Sequence, residues 1–277
     1  MRKFYVLSIL VLLNTQLGAQ SLRRPIAASY IGLGAYSMNH IDVFSFSSNQ
    51  AALAQIKNPC AGVYGETRFL LNATNMYAAV FAFPTKQGNF GIEADYFGFK
   101  NYNETQVGLA YARSLGSRLD IGIKFNYYSF RIPAYQNSSV VNFEIGAIVH
   151  LTEKLNAGIH FYNPVGGRLS KTPDEKLSSA YKFGIGYEAS DNFIISAEIV
   201  KQEDMPVNVN AGVQYNFLNR FFARVGMASE NSSPYAGAGV SWNNLRLDVS
   251  ASYHPQLGLS PGLMLIVNFK SKEVEIK

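Results

Sequence analysis

The residues best suited to covalent chemistry are Gly258, Leu259, Ser260, Pro261 and Gly262, which spell the pattern of a hydrolase nucleophile elbow. In that elbow the serine stands between a strand and a helix, and the N–H of the next residue helps bind the oxyanion. Here the next residue is Pro261, which has no N–H, and a strand-like run follows. Ser260 therefore reads as a loop turn before the last strand. Glu93 and Asp95 lie two apart on one face of an extended segment. Acid–base catalysis needs such carboxylates in a pocket with shifted acidities, and the sequence points instead to a charged lining. His40, His150, His160 and His254 show no metal-ligand spacing, and the lone Cys60 builds neither a thiolate site nor an intramolecular disulfide. The pairs Gly184/Gly186 and Gly237/Gly239 lack the third glycine and following helix of a dinucleotide loop. The sequence implies no enzyme, no cofactor and no metal site.

The elements that carry these residues alternate with period two. Leu119, Ile121, Ile123, Phe125 and Tyr127 are apolar, and Asp120, Gly122, Lys124 and Asn126 lie between them. That is a strand with one greasy and one wet face. The same alternation runs through 181–188, 207–217 and 245–254. Strand-like segments fall near 62–71, 76–83, 89–98, 104–115, 119–131, 139–151, 155–162, 179–189, 193–201, 207–217, 221–228, 234–242, 245–254 and 262–269. About fourteen alternating segments separated by turns predict an all-β, transmembrane, antiparallel up-and-down β-barrel.

The links carry a second signal. After even-numbered segments they are short, as at Lys86 to Gly88, Gly116 to Arg118 and Ser190 to Asn192. After most odd-numbered segments they are longer, as at Arg131 to Ser138, Gln202 to Pro206 and His254 to Pro261, and the longest, Asn163 to Ser178, carries Gly167, Arg168 and Pro173 as an exposed lid. Only the first odd link, near Asn72 to Asn75, reads as short. Bacterial barrels keep short turns on the periplasmic rim. The wet faces then supply lumen-lining candidates: Glu93, Asp95, Asp120, Lys124, Glu144, Lys182, Glu188, Glu198, Arg224, Arg246 and Asp248. Their mixed signs suit a self-neutralising interior, or else a substrate path.

The chain divides into four parts. Residues 1–19 read as a signal peptide: Arg2 and Lys3, then an apolar run of roughly ten residues, too short to span a bilayer. Residues 20–61 break the alternation and form a plug in the barrel or a strap beneath it. In this segment Ser48 is expected to cap a short helix from Asn49 to Gln55. Residues 62–269 are the barrel, and 270–277 a polar tail. The net charge is +5 in 277 residues that are 48% hydrophobic. Basic residues are scattered among acidic ones, which argues against nucleic acid as a partner.

Several stretches resemble a known family. Gly32 and Gly34, then Asp42-Val43-Phe44-Ser45 and Asn49-Gln50-Ala51-Ala52-Leu53-Ala54, are similar to the N-terminal signature of the PorV/PorQ-type outer-membrane proteins of Bacteroidota, with Gln50 where the family carries proline. That family is related to the FadL-like β-barrel superfamily. Glu66-Thr67-Arg68-Phe69, Gly88-Asn89-Phe90-Gly91 and Gly108 to Arg113 look like its run of strands. Gly262, Leu265, Val267 and Phe269 resemble the assembly signal of such barrels. The resemblance implies a fourteen-stranded barrel in the bacterial outer membrane, with outer-membrane lipid as its surroundings. It also implies a secretion-associated (type IX) binding or scaffold role, with exported proteins or secretion components as partners. The alternative is a FadL-like channel for uptake of a small hydrophobic molecule.

Overall fold

The computed structural model describes residues 36–133, 136–166, 177–203, 205–218 and 220–269. The expected signal peptide, Gly32 and Gly34, the Gly167–Pro173 part of the lid and the polar tail lie outside them.

Fourteen strands form one closed antiparallel barrel in which each pairs with its neighbours in sequence. They are β1 (Cys60–Thr67), β2 (Asn75–Thr85), β3 (Gly88–Phe99), β4 (Tyr102–Leu115), β5 (Leu119–Ile132), β6 (Gln136–His150) and β7 (Leu155–Tyr162). After these come β8 (Ala180–Ser190), β9 (Phe193–Gln202), β10 (Asn208–Phe217), β11 (Phe221–Ala228), β12 (Ser233–Trp242), β13 (Leu245–His254) and β14 (Gly258–Asn268). β1 pairs with β14 from Cys60↔Asn268 to Glu66↔Gly262, and the Phe269 N–H donates to the Pro59 carbonyl at 2.8 Å. Closure leaves no unpaired edge, which a spanning sheet in lipid cannot tolerate.

The period-two pattern decides which face meets which solvent. Val107, Leu109, Phe125, Tyr127, Val141, Phe183, Val225 and Leu263 point out of the barrel and stand exposed, Val141 at 67%. Their in-between neighbours Gln106, Lys124, Asn126, Asn142 and Glu144 are buried inside. An apolar outer band of this extent is unfavourable in water and suits the hydrocarbon of a bilayer. Aromatic side chains cluster at the short-turn rim, where Phe193, Tyr215, Phe217 and Phe221 form a row with ring centroids 6.0–6.3 Å apart. Such girdles mark the membrane–water interface.

Several boundaries differ from the expectation. β1 stops at Thr67, because Phe69 and Leu70 both take φ of 56° and the chain folds through two 3-10 turns, Arg68–Leu70 and Asn72–Thr74. The first odd link is therefore longer than expected. β14 begins at Gly258, so Ser260 belongs to the strand rather than to a turn before it. The links β3–β4, β5–β6 and β13–β14 are tight, since backbone pairing carries those strands past their apolar stretches. The sorting of long and short links is thus weaker than expected. It persists in the links β7–β8 and β9–β10, and the β1–β2 link, expected to be short, joins the longer ones.

The segment before β1 lies inside the barrel at the short-turn end. It consists of a strap, Tyr36–Phe44, a single turn α1 (Ser45–Ser48) and a 3-10 turn, Gln50–Gln55. The expected helix with a Ser48 cap is thus corrected to two short turns. Asn49 is the capping residue: its side-chain oxygen accepts from the Ala51 N–H at 3.0 Å.

Candidate functional site

The lumen has three layers. The lowest is the plug, held by inward side chains of five strands. Glu188, on β8 beside a register shift, accepts from the Ser37 hydroxyl (2.8 Å), the Met38 N–H, the Asn39 N–H (3.2 Å) and the Asn39 amide. A bulge that re-aims one side chain is a common device at barrel rims. Arg246, on β13, donates to Asp42 at 2.9 Å. Asp120, on β5, accepts from Gln55 at 2.6 Å and also meets His150 at 2.9 Å. Glu144, on β6, accepts from Gln50. Asn89, on β3, donates its amide to the carbonyls of Leu53 (2.8 Å) and Ile56 (2.8 Å) at the end of the 3-10 turn, the first of which also takes the Ile56 N–H.

Apolar packing fills the space between these anchors. Val43, Phe44, Phe46 and Leu53 form one cluster with Ala78, Val80, Ala82, Ala110 and Ile266 of the wall. The wall is scalloped to receive the plug. A Cβ at Gly122 would strike the Gln50 backbone, at Gly146 the Asn49 amide, and at Gly184 or Gly186 Tyr36. Inner-face glycines therefore mark close approach. Gly237 and Gly239 instead make room for Arg224 and Phe222. Within the strap, burial pushes the His40 pKa down; Glu188 and Asp191 oppose this and Arg246 adds to it.

Above the plug runs a belt of charge. The Lys124 ammonium lies 2.6 Å from Glu93 and 3.1 Å from Glu144, all three buried. Glu144 also meets His160 at 2.9 Å and Asn126 at 2.7 Å. Across the barrel Arg224 and Arg246 both pair with Asp248 and stack on the Phe222 ring, at 4.9 and 4.3 Å from its centroid. Guanidinium stacking and pairing of this kind offset the desolvation of each charge.

The top layer is a cavity of about 190 Å³ at the longer-link end, with Ser47 of the plug in its lining. Met76, Phe97, Tyr128, Tyr162, Val200 and Met205 give it apolar and aromatic walls. Glu93, Asp95, Glu104, Glu198 and Glu230 also face it, against Lys182 and His160. Glu104 accepts from the phenols of Tyr102 (2.5 Å) and Tyr128 (2.7 Å).

The eleven charged lumen candidates thus fall into distinct places. Glu93, Asp95, Lys182 and Glu198 reach the cavity, and Lys124 and Glu144 form the belt under it. Asp120 and Glu188 hold the plug; Arg224, Arg246 and Asp248 form the opposite cluster. Of the family-motif residues, Asp42, Asn49 and Leu53 sit in the plug. Of the assembly-signal residues, Gly262 faces the lumen against Tyr64, while Leu265 and Phe269 face outward. Val267, between them in the same alternation, pairs with Ala61 and Leu245. Ser260 accepts from the Phe69 N–H at 3.0 Å and so latches the β1–β2 link. Glu104, Gln106 and Tyr162 are absent from the lumen candidates read from the sequence, although Gln106 alternates with Val107 and Leu109 on the wet face of β4 and Glu104 continues that face with period two.

No family model matches the chain, and no curated protein matches it. Solved structures do. A CymD monoaromatic hydrocarbon channel aligns at 12% identity over 83% of this chain and 94% of that one, with a TM-score of 0.61. A Pseudomonas aeruginosa FadL homologue aligns at 11% identity over 87% and 97%, with a TM-score of 0.59. The P. putida toluene transporter TodX aligns at 9% identity over 87% and 99%, also at 0.59. The chain therefore shares its closed β-barrel fold with these three structures.

Proposed function

We propose that the protein is a non-enzymatic barrel of the bacterial outer membrane that takes up a small, largely apolar molecule. The short-turn rim, with the plug, faces the periplasm and the cavity faces outward. The observation that carries this reading is the cavity itself. It has an aromatic and aliphatic wall, a plug beneath it and a set of polar and charged groups converging on it, and a concave site that joins an apolar wall to converging polar groups is where a small molecule binds. The neighbours support passage of a small molecule over the secretion-associated role, which rests on the sequence resemblance alone. Uptake assays in a deletion strain test the proposal. Loss of the barrel should slow entry of a small aromatic compound. Unchanged entry, with no such compound bound by the purified protein, would overturn it.

A further inference from the structure

The polar groups of the outward cavity are not matched to a hydrocarbon. Five carboxylates face it against one lysine and one histidine. Three of its buried side chains also carry an atom with no hydrogen-bond partner among the described residues: Glu198 Oε2, Glu93 Oε1 and Gln106 Nε2. Each of these side chains is less than 5% exposed. Their other atoms are engaged. Glu198 Oε1 accepts from Asn210 at 2.9 Å, Glu93 Oε2 from Lys124 at 2.6 Å, and Gln106 Oε1 from Tyr162 at 3.5 Å. Buried acceptors and donors left open are costly, so a group that fills them contributes strongly to binding. Two of the three open atoms are carboxylate oxygens, which call for a charged N–H donor. Glu93 is already balanced by Lys124, whereas Glu198 makes no ion pair within 4.0 Å among the described residues.

We propose that the cavity binds a small organic amine, with its ammonium group against Glu198 and its carbon body against the Phe97, Tyr128 and Tyr162 wall. The proposal rests on the small-molecule reading above and narrows its substrate class. Aromatic faces add to the attraction for a cation held in such a site.

Ligand-observed NMR on the full-length protein in nanodiscs tests it, with phenethylamine, phenethyl alcohol and phenylacetate as probes. The amine and the alcohol have the same shape and differ in charge. The amine should bind at least about tenfold more tightly than the alcohol, the equivalent of one charge-assisted hydrogen bond. Phenylacetate should bind most weakly. Glu198→Gln, which keeps an acceptor for Asn210, should abolish the preference, and Lys182→Met should strengthen amine binding. Equal binding of amine and alcohol, unchanged in Glu198→Gln, overturns the amine assignment and leaves small-molecule uptake standing. Binding of no probe overturns the amine assignment, and together with unchanged entry in the deletion strain it sinks both. Displacement of the amine by sodium at matching concentration would mark the site as one for inorganic cations and also overturn the assignment.

Discussion

Replacing Lys124 with methionine removes one charge and little volume from the centre of the lumen. Lys124 is fully buried, and its ammonium holds Glu93 and Glu144 at 2.6 and 3.1 Å. Without it, two buried carboxylates face each other across β3, β5 and β6 with no lysine between them. At an effective dielectric of about 20, a single charge pair near 4 Å is worth roughly 4 kcal/mol. Breaking a buried pair typically costs about 3–5 kcal/mol. Lys124→Met should therefore destabilise the barrel by about 3–5 kcal/mol. The effect should appear as a lower urea midpoint in detergent micelles, followed by the fluorescence of the single tryptophan, Trp242. Adding Glu93→Gln to Lys124→Met should restore much of the loss, because the neutral amide needs no counter-charge. A Lys124→Met variant within about 0.5 kcal/mol of wild type, the usual range for a surface change, would refute the reasoning, as would a double variant weaker than the single one.

Gly186→Val should displace Tyr36 from the wall, leaving the barrel folded but making the strap 36–42 sensitive to protease in limited digestion. Glu188→Ala should release the same strap through loss of its four hydrogen bonds, which digestion of the intact barrel would report in the same way. The strap should also respond to pH. Burial depresses the His40 pKa in the docked state, so docking is at full strength above the ordinary histidine value near 6.5 and weakens as pH falls below it. The protection of residues 37–42 against hydrogen exchange, corrected for the intrinsic rate at each pH, should fall between about pH 7.5 and 5.5, and His40→Gln should flatten that response.

The barrel was legible because lipid outside and water-like groups inside impose period two on every strand. Asp120 and Lys124 needed no more than that alternation to be read as sharing the wet face of β5. The partners of these charges were not legible. Lys124 meets Glu93 two strands away and 31 positions back in the chain, a contact that depends on registers no local pattern encodes. Glu188 has its partners in the strap, where alternation stops. Strand ends were also hidden: Leu70 and Leu71 continue the apolar look of β1, but positive φ at Phe69 and Leu70 turns the chain away. Ser48 and Asn49 are both good caps, and the fit of Asn49 against Gly146, with its amide donating to the Ile159 carbonyl, favours the second.

Residues 36–56 plug the lumen at its short-turn end. Single-channel conductance in planar bilayers measures that closure directly. The wild-type barrel should show no sustained pore, and Gly186→Val combined with Glu188→Ala should show frequent openings as the strap leaves the wall. A wild-type barrel that conducts steadily like an open porin, with no change in the double variant, would contradict it.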